Sequence, residues 1–133
     1  MTKEELQTHL QALAGSLPDT TAGMSFGTNP TFRVGKRTFA VIDRYSGTDY
    51  LYLKIAPELR QELLAMRGWR VAPYDPHQKA LLWDVHAIDP DTLDQWVMHS
   101  FRQVALKRTI AKLEQDQGQI KPSAYGPPWR RPS

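Results

Sequence analysis

Cations and aromatic rings are interleaved in one part of the chain, where together they could bind nucleic acid. Three basic side chains fall close together, and two tyrosines alternate with a lysine further on: Arg33, Lys36, Arg37, Tyr50, Tyr52 and Lys54. Lysine and arginine neutralise phosphate charge, and tyrosine rings stack on bases. These six residues are the predicted nucleic-acid contacts. The competing interpretation is a solvated outer face of a sheet whose other face is core.

Two pairs of side chains have types that bind metal ions. Asp84 and His86 are two positions apart, which places them on one face of a strand, and Asp75 and His77 share a turn-rich segment. Two ligands do not complete a metal site, and the other two histidines belong to separate predicted helices. We predict no metal and no cofactor, and we interpret His86 and His99 as ordinary surface or capped residues.

The sequence lacks the patterns that nucleophilic catalysis requires. Ser25 and Ser100 have suggestive neighbours, but neither lies in a G-x-S-x-G turn and no acid is placed to orient a histidine. The absence of cysteine excludes thiol catalysis and cysteine-bound metal centres. We therefore predict a binding protein rather than an enzyme. Ser100 is expected where the last helix meets the sheet, and Ser25 is expected to satisfy backbone groups in a loop.

The first helix is predicted over residues 3–14. Thr2 and Glu5 have the spacing of a capping box, in which each side chain accepts a backbone N–H of the other residue. Leu6 and Leu10 lie on one face of this helix, and Gly15 closes it. Residues 16–30 show no periodicity and are predicted to form a long connection.

A hairpin and a following strand are predicted from alternation of period two. Gly35 and Lys36 form a two-residue turn, with Phe32 expected opposite Phe39 and Arg33 opposite Thr38. Residues 50–55 alternate strictly and give the clearest strand in the chain. The predicted inner face consists of Phe32, Phe39, Val41, Leu51, Leu53 and Ile55.

The second half of the chain is predicted to complete an α+β fold. A short helix covers about residues 57–67, and strands follow at Trp69–Ala72 and Ala80–His86. Asp89 as N-cap and Pro90 then open a long helix that reaches about Gln115. This order predicts an antiparallel sheet of about five strands, with the N- and C-terminal helices on one face and a short helix in between.

Composition indicates one domain followed by a basic tail. The 133 residues include 17 basic and 14 acidic side chains, but three of the basic ones lie after Gly118, so the body is neutral. Residues 1–118 are expected to form the domain, and the proline-rich residues 119–133 an extended or disordered tail. No apolar run approaches the ~20 residues that cross a bilayer, so we expect a cytoplasmic protein without membrane contacts.

Several short segments follow a known pattern over about residues 3–108. They are Met24-Ser25-Phe26-Gly27, the run from Pro30 to Lys36, Phe39-Ala40, Leu53-Lys54 followed by Pro57-Glu58, and His99-Ser100. In this order they resemble the MmcQ/YjbR family. The resemblance implies the α+β fold of the frataxin relative CyaY. It also implies DNA binding, because the sheet-and-wing architecture of the family looks like that of a phage transcription activator.

One segment departs from the family pattern. Many members carry His-x-Asn-Lys before a tryptophan-containing strand, whereas residues 74–79 here read Tyr-Asp-Pro-His-Gln-Lys before Leu81-Leu82-Trp83. The ligand that this segment binds in relatives is therefore in question for this chain.

The sequence thus predicts non-catalytic binding of DNA or RNA through the hairpin and the tyrosine-bearing strand. The alternative is a protein-interaction or small-ligand module. Such a module would use a cleft between the Ser16 to Pro30 connection and the sheet, with the Pro/Trp/Arg tail as a docking peptide. A contiguous positive surface favours the first function, and a mixed surface with a deep apolar cleft favours the second.

Deleting residues 120–133 is expected to leave the melting temperature nearly unchanged. The segment has four prolines and no apolar period, so little burial offsets the entropy lost on ordering it. Thermal unfolding of the full and truncated chains, followed by circular dichroism, measures the effect. A fall of many degrees would instead indicate that Tyr125 and Trp129 dock onto the body or onto a neighbouring subunit.

Overall fold

The fold is a six-stranded antiparallel sheet with helices packed against its inner face. The computed structural model describes residues 1–25 and 28–119. Its elements are α1 (Lys3–Gly15), β1 (Thr20–Ser25), β2 (Asn29–Val34), β3 (Arg37–Tyr45), β4 (Thr48–Lys54), α2 (Pro57–Leu64), β5 (Trp69–Val71), β6 (Ala80–Asp84), a short 3-10 helix (Val85–Ala87), α3 (Pro90–Val104) and α4 (Lys107–Gln119). The strands are ordered β1-β2-β3-β4-β6-β5. The predicted α+β class is confirmed, with six strands instead of about five.

The additional strand is β1, which lies inside the segment predicted as a long connection. It pairs with β2 from Thr20↔Val34 to Ser25↔Asn29, and Thr21 to Met24 are exposed. Its two apolar residues, Ala22 and Met24, are both exposed, so the segment lacks the buried apolar face that makes a strand recognisable in a sequence. Backbone pairing with β2 specifies the strand instead. Much of the 16–30 segment is therefore part of the sheet and does not form the loop that was expected to border a cleft.

The hairpin is present, but a β-bulge changes its register. Gly35 has φ +58° in the turn, and Arg33 lies opposite Thr38 as predicted. Phe32, however, pairs with Ala40 instead of Phe39, because β3 carries one extra residue at this point. The extra residue reverses the alternation after Phe39, and this makes the prediction for Val41 wrong.

The consequence is a change of face along the rest of β3. Ile42 is buried at 1% exposure on the inner face, whereas Val41 is half-buried opposite Tyr52 on the outer face. The other five predicted inner residues are buried. Strict alternation in β4 holds, since Leu51 and Leu53 are fully buried in the main core.

A serine hydroxyl from α3 bridges β3 and β4 where their ladder ends, next to the bulge. Ser100 is fully buried, as expected for a small residue where the last helix meets the sheet. Its hydroxyl donates to the Phe39 carbonyl and accepts from the Lys54 N–H at 2.8 Å. The regular pairing of β3 with β4 ends at Ala40↔Leu53, so the hydroxyl replaces the next cross-strand hydrogen bond.

Apolar side chains gather on both faces of the sheet. The main core lies on the inner face, where buried side chains of α1 and α3 meet the strands. A smaller cluster lies on the outer face, where Tyr50, Ala72 and Leu82 are buried and Tyr45 and Tyr52 pack around them. The outer face is therefore partly covered and is not uniformly solvated.

The predicted single long helix is two helices. The capping box and the start of α3 at Asp89-Pro90 are as predicted, but α3 ends at Val104 and α4 begins at Lys107. No glycine or proline marks the break. Contacts of α4 with Asp19 fix its new direction: the Thr109 hydroxyl donates to Oδ2 at 2.7 Å, and Lys112 Nζ lies 3.2 Å from Oδ1.

Three other elements end earlier than predicted. Helix α2 ends at Leu64, β5 ends at Val71, and β6 ends at Asp84, just before the 3-10 helix. Gly68, with φ +92°, follows α2 and packs so closely on Ala87 that an added Cβ would lie 2.3 Å from the Ala87 Cβ. Of the predicted tail at 119–133, Gln119 is the last residue of α4 and residues 120–133 lie outside the described residues, so the division at 118 stays a prediction. Within 1–25 and 28–119, no helix has the length and hydropathy to span a bilayer.

Replacing Ser100 by alanine is expected to lower the free energy of unfolding substantially. The variant leaves the Phe39 carbonyl and the Lys54 N–H without their partner, and each buried unpaired group costs about 1–3 kcal/mol. Urea denaturation measures the loss. Ser16→Ala is the control, because its hydroxyl donates to the Leu13 carbonyl at an exposed helix end and should matter little. Equal effects in the two variants would contradict a special role for Ser100.

Candidate nucleic-acid interface

A cleft of about 910 Å³ lies over the outer face of the sheet. One wall is the β2–β3 hairpin and another is the loop of residues 72–79 between β5 and β6, while Pro57 of α2 and Gln103 and Val104 of α3 also line the cleft. Four cations line this outer cleft: Arg33, Arg37, Lys54 and Lys79. Within the described residues none of the four forms an ion pair, so their charges are free to meet an anionic ligand.

The 72–79 loop is held in place by hydrogen bonds to its own backbone. The Asp75 carboxylate accepts the N–H groups of His77 at 3.2 Å, Lys79 at 2.6 Å and Ala80 at 2.7 Å. The Arg60 guanidinium donates to the Gln78 carbonyl at 2.7 Å. These bonds fix the loop wall and bring Lys79 to the cleft. They also make Asp75 a loop-organising residue, so its predicted pairing with His77 is a backbone contact.

The loop also places a tyrosine over the tyrosine-bearing strand. Tyr74 and Tyr52 have nearly parallel rings, 12° apart in orientation and 6.3 Å between centroids. The Tyr74 hydroxyl donates to Asp43 Oδ2 at 2.5 Å, and Asn29 Nδ2 donates to Asp43 Oδ1 at 3.0 Å. Lys54 Nζ donates to the Tyr52 hydroxyl at 2.9 Å. Ring stacking and hydrogen bonds therefore connect Tyr52 and Tyr74 with Asp43 and Lys54 on one side of the cleft.

The environment of Tyr74 keeps its hydroxyl protonated. Burial, then the hydrogen bond to Asp43 and the negative charge of Asp43, raise the pKa of Tyr74 far above its ordinary value of 10.0. The residue as a whole nevertheless remains 48% exposed. Tyr74 can thus donate to Asp43 at every physiological pH while it presents part of its ring to a ligand.

The structure brings together four of the six predicted contacts. Arg33, Arg37, Tyr52 and Lys54 all line the outer cleft. Lys36 is exposed in the hairpin turn and is not part of the lining.

Tyr50 is the predicted contact whose surroundings differ most from expectation. Its side chain is buried, with the Arg70 guanidinium 5.8 Å from its ring centroid, so in this arrangement it cannot stack on a base. The Arg70 guanidinium also lies 5.4 Å from the ring of Tyr45. This part of the outer face is therefore occupied by the protein itself.

Sequence reasoning missed Tyr74 and Asp43 as parts of the site. Tyr74 belongs to the segment that departs from the family pattern, and nothing in its neighbours reveals that the loop folds back over β4. Asp43 is missed because strict alternation from Phe39 would point it inward, and only the bulge turns it to the cleft. The available sequence signal for this part of the site was Tyr74, an aromatic residue beside a run of polar residues.

The residues that were considered as metal ligands make hydrogen bonds and ion pairs within the fold. Asp84 and His86 do not share a strand face, because β6 ends at Asp84, whose carboxylate instead accepts the His86 N–H at 2.9 Å. His9 Nε2 lies 2.5 Å from Asp94 Oδ1 and joins α1 to α3. Among the residues with described positions, no three His, Asp or Glu side chains gather as metal ligands. The Ser25 side chain lies outside the described set.

The hairpin and the 72–79 loop both lie in a part of the chain that is shared with a known family. A family model described as YjbR matches residues 15–103, which include both walls of the outer cleft. The chain belongs to the YjbR family. This confirms the predicted MmcQ/YjbR resemblance, while the likeness to CyaY stays a prediction.

One solved structure similar to this YjbR-family chain shows the same fold. A crystal structure of a protein from Pseudomonas syringae, determined by a structural genomics consortium, has a TM-score of 0.62 at 16% identity. The match covers 77% of this chain and 98% of the other, and at this identity it shows a shared fold. A search of curated proteins found no match.

His99 links α3 to the start of α2 behind the cleft. Its ring Nε2 accepts the Ala56 N–H at 3.1 Å, and Trp96 packs edge-on against the ring. Burial lowers the pKa of His99 below its ordinary value of 6.5, with a smaller opposing effect of Glu58. The neutral ring is the one that can accept this bond, so the half-buried His99 has a structural role beyond that of the ordinary surface or capped residue expected from the sequence.

Stability is expected to fall as the pH drops below the unfolded-state pKa of His99. The pKa of His99 is lower in the folded chain than in the unfolded chain, so below about pH 6.5 the unfolded chain binds more protons. The stability that His99 contributes therefore decreases as the pH falls toward its folded-state pKa. Urea denaturation at about pH 7.5 and pH 5.5 measures the loss. His99→Gln, which accepts the same bond without titrating, should lose less stability across this range. An identical pH dependence in both proteins would contradict the assignment.

Proposed function

We propose that this YjbR-family protein binds DNA without catalysing a reaction, and that it holds a single strand in the outer cleft. The observation that carries the proposal is the convergence of Arg33, Arg37, Lys54 and Lys79 on one concave surface, in a chain whose body is neutral. Cations concentrated in this way attract a phosphate backbone far more strongly than the same charges spread over the surface. The proposal assumes the cytoplasmic location expected from the sequence.

A single strand suits the cleft better than a duplex. Cations stand on both walls, Arg33 and Arg37 on the hairpin and Lys79 on the loop, so a ligand must enter between them. A backbone with unpaired bases can do so and can place one base on the half-exposed ring of Tyr74. Tyr74 therefore takes the stacking role that the sequence assigns to Tyr50.

A second candidate is a small anionic ligand in the same cleft. Its support is the volume of about 910 Å³, which lies within the range of small-molecule pockets. The protein-interaction form of this alternative relied on the tail, whose residues 120–133 lie outside the described part of the chain. Binding that does not increase with oligonucleotide length would favour the small ligand.

Removing three cleft cations is expected to weaken single-strand binding and make it less dependent on salt. In the variant Arg33→Gln/Arg37→Gln/Lys79→Gln, the slope of log K against log salt should fall by about 0.7 for each phosphate that the protein no longer neutralises. Fluorescence anisotropy with a labelled oligonucleotide over a salt series measures both quantities.

The matched control is Lys3→Gln/Arg67→Gln/Lys107→Gln, which removes the same charge from residues outside the cleft lining. It should retain most of the affinity and the slope. Equal losses in the two variants would indicate non-specific attraction. If the intact protein bound neither DNA nor RNA at about 50 mM salt, where phosphate contacts are strong, the proposed function would be wrong.

A further inference from the structure

Asp43 stands out in the outer cleft as a carboxylate among cations. Of the described residues that line the cleft, it is the only aspartate or glutamate. A carboxylate repels the phosphates that the surrounding cations attract, so it weakens a cleft that serves only to bind a phosphate backbone. Its presence indicates a ligand that brings hydrogen-bond donors as well as negative charge.

The partners of Asp43 leave room for such a ligand. In the described part of the chain the carboxylate accepts from Asn29 Nδ2 and from the Tyr74 hydroxyl, one bond to each oxygen. An ionised carboxylate has about four acceptor positions, so each oxygen keeps one. The two neutral donors leave the charge of the carboxylate uncancelled, and no described cation pairs with it. Both protein donors can stay in place while a ligand donates to the remaining positions.

The surroundings of the carboxylate match the base and the phosphate of a nucleotide. The half-exposed ring of Tyr74 lies next to Asp43, because its own hydroxyl is bonded to the carboxylate. Arg33, Arg37 and Lys79 line the same cleft. A base stacked on Tyr74 would thus present its edge toward Asp43 while its phosphate meets the cations.

We propose that Asp43 makes the outer cleft selective for guanine, whose N1–H and N2–H groups donate side by side to the two carboxylate oxygens. The proposal rests on the proposed function, since it adds base selectivity to the same site. Cytosine and adenine offer an amino group next to a ring acceptor, so they give one good hydrogen bond. Thymine offers one N–H between two carbonyls that the carboxylate repels. The expected order is guanine first and thymine last.

The experiment compares four single strands of about 12 nucleotides, a length within known single-strand site sizes. Three alternate thymine with guanine, cytosine or adenine, and the fourth is all thymine. Alternation avoids the self-association of long guanine runs. We expect the thymine–guanine strand to bind about tenfold more tightly than the all-thymine strand, the discrimination of one bidentate contact. Equal affinities would overturn the inference and leave the proposed function intact.

Two variants test whether Asp43 causes the preference. Asp43→Asn keeps an acceptor for Tyr74 but replaces one carboxylate oxygen by an amino group, so the guanine preference should disappear. Asp49→Asn removes the same charge from a residue outside the cleft lining, where it pairs with Arg44, and should keep the preference. A preference that survives Asp43→Asn would overturn the inference. The comparison of the four strands with the unaltered protein needs no variant and decides the question even if Asp43→Asn unfolds.

Binding of guanosine monophosphate tests whether the cleft recognises guanine in a free nucleotide or only within a strand. If no oligonucleotide binds but guanosine monophosphate binds in an Asp43-dependent way, the proposed function fails and the guanine selectivity stands. If neither binds, both fail. Competition of guanosine monophosphate with the thymine–guanine strand, abolished in Asp43→Asn, would support both.

Discussion

The β-bulge at Phe39 and Ala40, together with the Ser100 hydroxyl that completes it, decides what the outer face of the sheet carries. Because of the extra residue, Ile42 enters the core and Asp43 reaches the cleft. The bulge lies in the pairing of β2 with β3, at the point where the ladder between β3 and β4 ends, and buried polar groups at the end of a ladder are costly unless they find partners. The Ser100 hydroxyl supplies both the donor and the acceptor. One side chain on α3, at the inner face, thus supports the arrangement of the opposite face.

The outer face is built from tyrosines that the protein partly covers itself. Arg70 lies over Tyr50 and Tyr45, while the 72–79 loop brings Tyr74 onto Tyr52. This covering removes aromatic surface from water, and it narrows an open sheet into a cleft with two walls. The cost of ordering the loop is offset locally by the hydrogen bonds that converge on Asp75. A narrower cleft therefore replaces the broad stacking surface that the sequence suggests, and on our proposal this cleft holds an unpaired base.

The charge distribution makes the four cations of the outer cleft important for attracting an anionic ligand. The formal charge of +3 originates in residues after Gly118, and the body carries equal numbers of both signs. A neutral body attracts nucleic acid weakly at long range, so affinity must come from cations gathered in one place. The outer cleft is such a place. Asp43 within it lowers the attraction for phosphate and, on our proposal, converts some affinity into selectivity.

Local patterns in the sequence determined most of the elements. The Thr2–Glu5 capping box, the Gly35 turn, the alternation over 50–55 and the Asp89-Pro90 helix start each depend on contacts between near neighbours in the chain. Four of the six predicted site residues line the cleft for the same reason, since they belong to these elements.

Contacts between distant residues decided the remainder, and no local pattern encodes them. The run Phe39-Ala40-Val41-Ile42 is apolar throughout, so its alternation fits either face, and the bulged residue Phe39 is contacted by Ser100, about sixty residues away. Strand β1 exists because β2 offers it a partner, and α4 turns because Asp19 holds it. The position of Tyr74 depends on Asp43 in another strand. The sequence alone therefore predicted the hairpin and its cations, whereas tertiary packing shaped the cleft and set the carboxylate and the ring inside it.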